Sequence, residues 1–363
     1  MSVTGRLARR CGWALFVVWA TMTIAFVVNH ALPADPARMV AGPQARAAEV
    51  RKIRKKLCLN RPLHVQYMVF LSRLVHVGPP PRAPGAPKAP PQAPPCADGD
   101  DTDAEDKVTE EELHASCASV VGRLHVDLGK SYTQRRPVVT ILAERLPRTV
   151  LLAIAAALVQ MSLGIAAGVL AASRWKTATD RLAVGVSLLG VSAPTFITGL
   201  FLQWLFGFRL RLLPLDGFGE TTAQHLVSVI LPATTLGIFG AAYYTRMVRD
   251  EMLGQLGQDY VRTARAKGLS RGSVLFRHAL RNALLPIVTI VGLEVGTLVG
   301  GAIVTESIFR WPGLGSLSVT AMIERDGPVI MGCVILTSLA VAFATVAVDV
   351  AYTLLDPRLR EKA

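Results

Sequence analysis

Long uncharged apolar runs, rather than short periodic stretches, dominate the chain. They cover Cys11–Leu32, Thr149–Ser173, Leu182–Phe208, Thr221–Thr245 and Gly327–Val348; a sixth, Asn282–Thr305, is broken only by Glu294. About 20 apolar residues carry a helix across the hydrocarbon core of a bilayer. Six such runs predict an all-α, polytopic membrane protein with six transmembrane helices, and they exclude a soluble enzyme. Composition adds little: 51% of residues are hydrophobic and 18% charged, below the ~25% of an ordinary soluble domain.

Charge decides which side is which. Short loops that stay in the cytoplasm retain Lys and Arg. Arg6, Arg9 and Arg10 precede the first run, and Arg174, Lys176 and Arg181 lie between the second and third. Arg246, Arg249, Arg262, Arg265, Lys267, Arg271, Arg277 and Arg281 separate the fourth from the fifth, and Arg358, Arg360 and Lys362 close the chain. The opposite short loops hold only Arg209, Arg211, Arg310 and Arg325. Both termini are therefore expected in the cytoplasm of a plasma (inner) membrane. The first run is longer than the 7–15 residues usual in a signal peptide, so it reads as an uncleaved span. The net charge of +13 would suggest nucleic acid in a soluble protein; here topology accounts for it, and no nucleic-acid partner is expected.

Four regions follow: residues 1–32, the N-terminus and first span; 33–147, an extracytoplasmic region; 148–355, a core of five spans with a cytoplasmic loop at 246–283; and a cytoplasmic tail, 356–363. The long outer loop does not overturn the orientation, because loops beyond ~60 residues translocate largely regardless of charge. Within it, Val50, Ile53 and Leu57 recur at helical spacing among Arg51, Lys52, Arg54, Lys55 and Lys56. That amphipathic helix either lies on lipid headgroups or packs on the spans with a solvated basic face. Residues 78–119 read as an insertion, Pro-rich from Pro79 to Pro95 and acidic from Asp98 to Glu112. Such a composition buries too little apolar surface to order itself. Cys96 and Cys117 bracket the acidic part in an oxidising compartment; a disulfide between them and two thiols are both open readings. Gly129-Lys130-Ser131 imitates the end of a phosphate loop, but Leu124 stands where that motif needs its first Gly.

No nucleophile–base pair, Gly-rich nucleotide loop or metal-ligand spacing occurs, so neither a catalytic residue nor a bound metal or cofactor is expected. The informative segment is Asp259-Tyr260-Val261-Arg262-Thr263-Ala264-Arg265-Ala266-Lys267-Gly268-Leu269-Ser270. It predicts a short helix stopped at Gly268, which can take the left-handed conformation, and a second helix capped by Ser270. A small basic helix between two spans has little to order it, and is expected to dock on something.

This segment, with His278-Ala279-Leu280-Arg281-Asn282-Ala283-Leu284-Leu285-Pro286, resembles the cytoplasmic loop of ABC-importer permeases. The resemblance is strongest to the dipeptide/oligopeptide/nickel branch, and within it to the first (B-type) of the two permease subunits. Leu32-Pro33-Ala34-Asp35-Pro36-Ala37, Asn60-Arg61-Pro62-Leu63, Asp127-Leu128-Gly129-Lys130-Ser131, Glu144-Arg145-Leu146-Pro147, Trp311-Pro312-Gly313-Leu314-Gly315 and Leu355-Asp356-Pro357-Arg358 extend it over nearly the whole chain except 78–119. The general loop form begins Glu-Ala-Ala; Arg262-Thr263-Ala264 stands there instead, as in the peptide branch.

The resemblance implies a type I importer permease fold and a transport subunit that hydrolyses nothing. Its implied partners are a second permease, two cytoplasmic ATPases that use ATP and Mg, an extracytoplasmic solute-binding protein and a peptide substrate. The ATPase-coupling residues would be Asp259, Tyr260, Arg262, Thr263, Ala264, Arg265, Ala266, Lys267, Gly268 and Leu269. The insertion would lie where the binding protein docks. A carboxyl in mid-span is costly, about 2.5–3.5 kcal/mol on insertion scales, so Glu294 either lines the translocation path or has a paired structural role. Nickel or glutathione would be alternative solutes for the same machinery. A proton-coupled carrier with Glu294 as relay, or a membrane scaffold displaying the insertion, is the rival of another class.

Overall fold

A computed structural model describes residues 3–31, 35–42, 44–77, 117–121, 124–299 and 302–355. In chain order the helices are α1 (Val3–Ala31), α2 (Pro36–Ala41), α3 (Ala47–Lys56), α4 (Leu63–Leu74), α5 (Val138–Ser173), α6 (Ala178–Ser192), α7 (Thr195–Leu202) and α8 (Thr222–Ser228). They continue as α9 (Ile230–Leu256), α10 (Asp259–Ala266), α11 (Arg271–Ser273), α12 (Arg281–Val299), α13 (Ile303–Ile308), α14 (Leu314–Ile323) and α15 (Gly327–Leu355). The contacts divide the chain into two compact units: one of Met1–Val18, Leu146–Ser316 and Thr337–Ala363, the other of Trp19–Arg145 and Leu317–Leu336.

Among the described residues, four stretches are long and apolar enough to cross a membrane: Arg9–His30, Val138–Ser173, Thr222–Leu256 and Gly327–Val348. The third apolar run departs from the straight span expected of it: α6 and α7 meet at a bend of 100°. Pro194 explains the break. Proline disfavours helical backbone in the residue before it, and Ala193 is extended (φ −77°, ψ 124°). The fifth run is divided between α12, described to Val299, and α13, which begins at Ile303. Large apolar side chains on α6 and α7, among them Leu182, Leu189 and Phe201, stand exposed, as surfaces facing lipid or another subunit do.

In the unit containing most of the spans, α5 and α9 meet at glycines. A Cβ on Gly164 would lie 2.5 Å from Tyr244 Cβ, and one on Gly168 2.7 Å from Val248 Cβ, so the two backbones approach as small residues allow in membranes. Val169, Tyr244, Val248, Met252, Ala279, Ala283 and Ile287 close the core beside this contact. At the edge of α6, Arg249 grips the buried Asp180 with two bonds, Nε to Oδ1 at 2.6 Å and Nη2 to Oδ2 at 3.1 Å.

The other unit packs Met22 and Phe26 of α1 against Tyr67, Phe70 and Leu71 of α4 and Met331 and Ile335 of α15. It also holds a small antiparallel sheet that the all-α expectation did not include. Val75–Val77 (β1) and Cys117–Val121 (β2) both pair with Leu124–Asp127 (β3), with Val75 opposite Val126. Strands of three to five residues are too short for their alternation to stand out in the sequence. The last residues of the expected insertion, Cys117–Ser119, thus belong to β2, while 78–116 lie outside the described residues. So does Cys96, and with it the reading that pairs it with Cys117. Cys58 is disulfide-bonded, whereas Cys11 and Cys333 are thiols; the spacing did not single out Cys58.

Candidate coupling site

α9 stops at Gly257, and the chain re-enters a helix at Asp259, whose carboxylate sits in the first turn where the helix dipole favours it. Val261 and Ala264, three residues apart, turn inward onto Val274 and Leu256. Gly268 adopts φ +76°, and two bonds complete the left-handed stop. Leu269 N donates to Ala264 O at 3.3 Å and Gly268 N to Arg265 O at 3.0 Å, the paired pattern that satisfies the last carbonyls of a helix. Ser270 Oγ then accepts from Ser273 N at 3.3 Å, capping α11. Arg271 Nη2 donates to Ser173 O at 2.7 Å, tying the loop to the end of α5.

Of the residues expected to couple, Asp259, Tyr260, Arg262, Thr263, Arg265, Ala266, Lys267, Gly268 and Leu269 are exposed, and Ala264 is buried. Ala264 therefore holds the helix down and presents nothing outward. The outward face is basic: Arg262, Arg265 and Lys267 stand out, with Asp259 only 3.4 Å from Arg262 in an exposed pair. Sequence reasoning missed Val261, the fully buried anchor; its apolar spacing to Ala264 was the available signal. It also missed Gln255 and Asn282, which flank Tyr260. Tyr260 Oη donates to Gln255 Oε1 at 2.7 Å and accepts from Asn282 Nδ2 at 3.0 Å.

Glu294, half-buried on α12, accepts a hydrogen bond from Tyr244 Oη on α9. One turn above Tyr244, Gln160 of α5 fills the niche left by Gly240. Its Nε2 is the buried side-chain polar atom lacking a partner among the described residues.

Two buried carboxyls organise loops that the apolar pattern did not flag. Glu306 is completely buried; it accepts from Thr149 Oγ1 at 3.1 Å and from Ser316 N at 2.8 Å. Thr149 Oγ1 in turn accepts from Leu314 N at 2.7 Å, and Gly313 leaves no room for a Cβ beside Glu306. The Trp311–Gly315 motif is thus a turn wrapped around one carboxyl. Asp326 accepts from Ser131 Oγ at 2.5 Å and from Thr133 N at 3.2 Å, so Ser131 of the false phosphate loop anchors a turn. Beside it, burial and the Asp326 charge push the Tyr132 phenol up to about 12.

Comparison with known proteins bears on all of this. Residues 164–361 match the family described as binding-protein-dependent transport system inner membrane component, and residues 4–93 match the N-terminal family of the same membrane components. The glutathione transport system permease protein GsiC of Escherichia coli (strain K12) is 35% identical over 351 residues, 96% of this chain and 95% of that protein. The protein of the same name from Salmonella paratyphi A (strain ATCC 9150 / SARB42) is 35% identical over 342 residues, 93% of each. Among solved structures, the inward-facing MetNI methionine ABC transporter aligns with a TM-score of 0.51 at 18% identity, covering 61% of this chain and 98% of that one; that likeness speaks to the fold alone. With its spans, its capped loop helix and these matches, the chain belongs to the inner-membrane permeases of binding-protein-dependent ABC importers, in the peptide/nickel branch with the type I fold, and is a transport subunit, not an enzyme.

Proposed function

We propose that this chain is the first permease subunit of an importer for glutathione or peptides of similar size. The similarity to glutathione permeases over 96% of the chain is the observation that carries the solute; glutathione is itself a tripeptide, so it falls within the peptide class that the motifs suggest. As in ABC importers generally, a second permease, ATPases and a binding protein complete the machine. Both termini lie in the cytoplasm on this reading, which puts α10 on the ATPase side. Its basic outward face, with Asp259, Tyr260, Arg262, Thr263, Arg265, Ala266, Lys267, Gly268 and Leu269, would seat in a groove of one ATPase. ATP-driven closure of the ATPases then pulls on α10 and switches the bundle as a two-state body.

Glu294 is assigned to the translocation path, with Tyr244 orienting its carboxyl, and the 78–119 insertion to the docking of the binding protein. The test is reconstitution of the full complex in proteoliposomes with labelled glutathione, a labelled dipeptide and nickel. Uptake of glutathione or the dipeptide should require hydrolysable ATP and survive a protonophore. Uptake of nickel alone, or uptake abolished by the protonophore with ATP present, would overturn the assignment. Glu294→Gln should lower uptake with the complex intact, and deleting 78–116 should weaken delivery by the binding protein.

A further inference from the structure

We propose that the Tyr260 hydroxyl is a positioning group that makes the loop helix move as one with two membrane helices. The inference rests on the reading of α10 as the coupling helix. α10 is eight residues long and buries only Val261 and Ala264, both small, so its apolar hold on its own unit is slight. A pull on such a helix could slide it over the bundle instead of moving the bundle.

One hydroxyl closes that gap. Tyr260 Oη donates to Gln255 Oε1 at 2.7 Å, and Gln255 lies in the last turn of α9. It accepts from Asn282 Nδ2 at 3.0 Å, and Asn282 is the second residue of α12. The same amide donates to His278 O at 3.2 Å, which fixes its orientation across the wide turn Val274–Leu280. Three elements therefore meet at a single oxygen. Tyr260 is itself 38% exposed, and water could satisfy each of its partners if the hydroxyl were removed. The bonds are thus not needed to keep the fold, and what they fix is the position of α10 relative to α9 and α12. These two helices meet again in mid-bundle, where Tyr244 donates to Glu294; the joint at Tyr260 delivers motion to a pair of helices already held together.

The test uses the whole complex, both permeases with ATPases and binding protein, in proteoliposomes, and reads labelled glutathione imported per ATP hydrolysed. Tyr260→Phe should lower that ratio about tenfold, equivalent to about 1.4 kcal/mol of lost coupling. Asn282→Leu should do the same, and the double variant should be no worse than either single, because both remove one joint. Gln255→Leu replaces Asn282→Leu if the latter fails to assemble. A wild-type ratio in Tyr260→Phe, or losses that multiply in the double variant, would overturn the proposal. In parallel, Arg265→Cys should cross-link to an ATPase cysteine. If it does and Tyr260→Phe is normal, the joint alone is wrong; if no cross-link forms with any ATPase position, the docking reading fails and takes the joint with it.

Discussion

Replacing Thr149 by Val removes one oxygen from the turn around Glu306 while keeping nearly the same volume. That oxygen is buried and serves twice, donating to Glu306 Oε1 at 3.1 Å and accepting from Leu314 N at 2.7 Å. Each hydrogen bond contributes about 1 kcal/mol net, and a buried group deprived of its partner costs a further 1–3 kcal/mol or so. The sum is about 3–5 kcal/mol, roughly a 140- to 4,000-fold shift in the folded ratio. For a chain of 363 residues it lowers Tm by about 4–7 °C.

The assay is thermal unfolding of the purified complex in nanodiscs, followed by tryptophan fluorescence. Trp311 reports on the same turn: its Nε1 donates to Arg148 O at 3.1 Å, and its ring meets Phe218 edge-on at 4.9 Å between centroids. Thr149→Ser keeps the hydroxyl and should stay near wild type. If Thr149→Val melts with wild type, the turn does not depend on this oxygen. If Thr149→Ser falls as far as Thr149→Val, the methyl and not the hydroxyl carries the effect, and the argument from hydrogen bonds is wrong.

Two further outcomes follow from the same reasoning. Asp180→Asn removes the charge from a two-pronged, largely buried pair whose Arg249 keeps only the exposed Asp250 beside it; breaking such a pair from one side costs about 3 kcal/mol or more, so the complex should melt several degrees lower, and an unchanged melting curve would show the pair to be solvated. Since Cys58 is disulfide-bonded while Cys11 and Cys333 are thiols, denaturing alkylation without reductant should label Cys11 and Cys333 and spare Cys58; peptide mapping then identifies the cysteine bonded to Cys58, and a labelled Cys58 refutes the bond.

What could be read from the sequence follows the length over which a signal accumulates. A transmembrane helix repeats one message for some twenty residues, so α1, α5, α9 and α15 fall within or around the apolar runs. The loop helix was legible for a different reason: Gly268 and Ser270 each have one strong local use, and both do what their residue type allows. The bend at Pro194 was less visible, because a proline in a long apolar run is tolerated in membranes as a kink, and only tertiary packing selects a 100° break. The sheet was invisible because its strands are short and β1 pairs with β3 across 46 intervening residues. Glu306 and Asp326 were passed over as ordinary loop carboxyls, since nothing local says that Thr149 and Ser131, more than a hundred residues away, supply their donors. Side chains that line the spans are legible by composition, whereas those that knot the loops depend on long-range contacts.

The glycines of α5 bear on how such a bundle can switch. Helices in lipid gain little from apolar attraction for one another, and close backbone contact is what holds them. Gly164 and Gly168 lie one turn apart on α5, against Tyr244 and Val248 one turn apart on α9, so the two helices touch along a line and resist sliding. A similar contact joins Gly296 of α12 to Val341 and Ala344 of α15. Motion is therefore expected between bodies made of such pairs, with each pair moving whole. Gly164→Val tests this at one point: its Cβ would fall 2.5 Å from Tyr244 Cβ, well inside contact distance, and overpacking of this kind costs about 1–3 kcal/mol. The strain lands on Tyr244, so it should also disturb the hydrogen bond to Glu294. The expected result is a lower Tm together with reduced uptake per ATP. A Cβ on Gly185, by contrast, would meet nothing within 4 Å, and Gly185→Val should leave both measurements unchanged. Equal behaviour of the two variants would mean that the α5–α9 contact yields easily, and that the bundle switches by sliding within the pair.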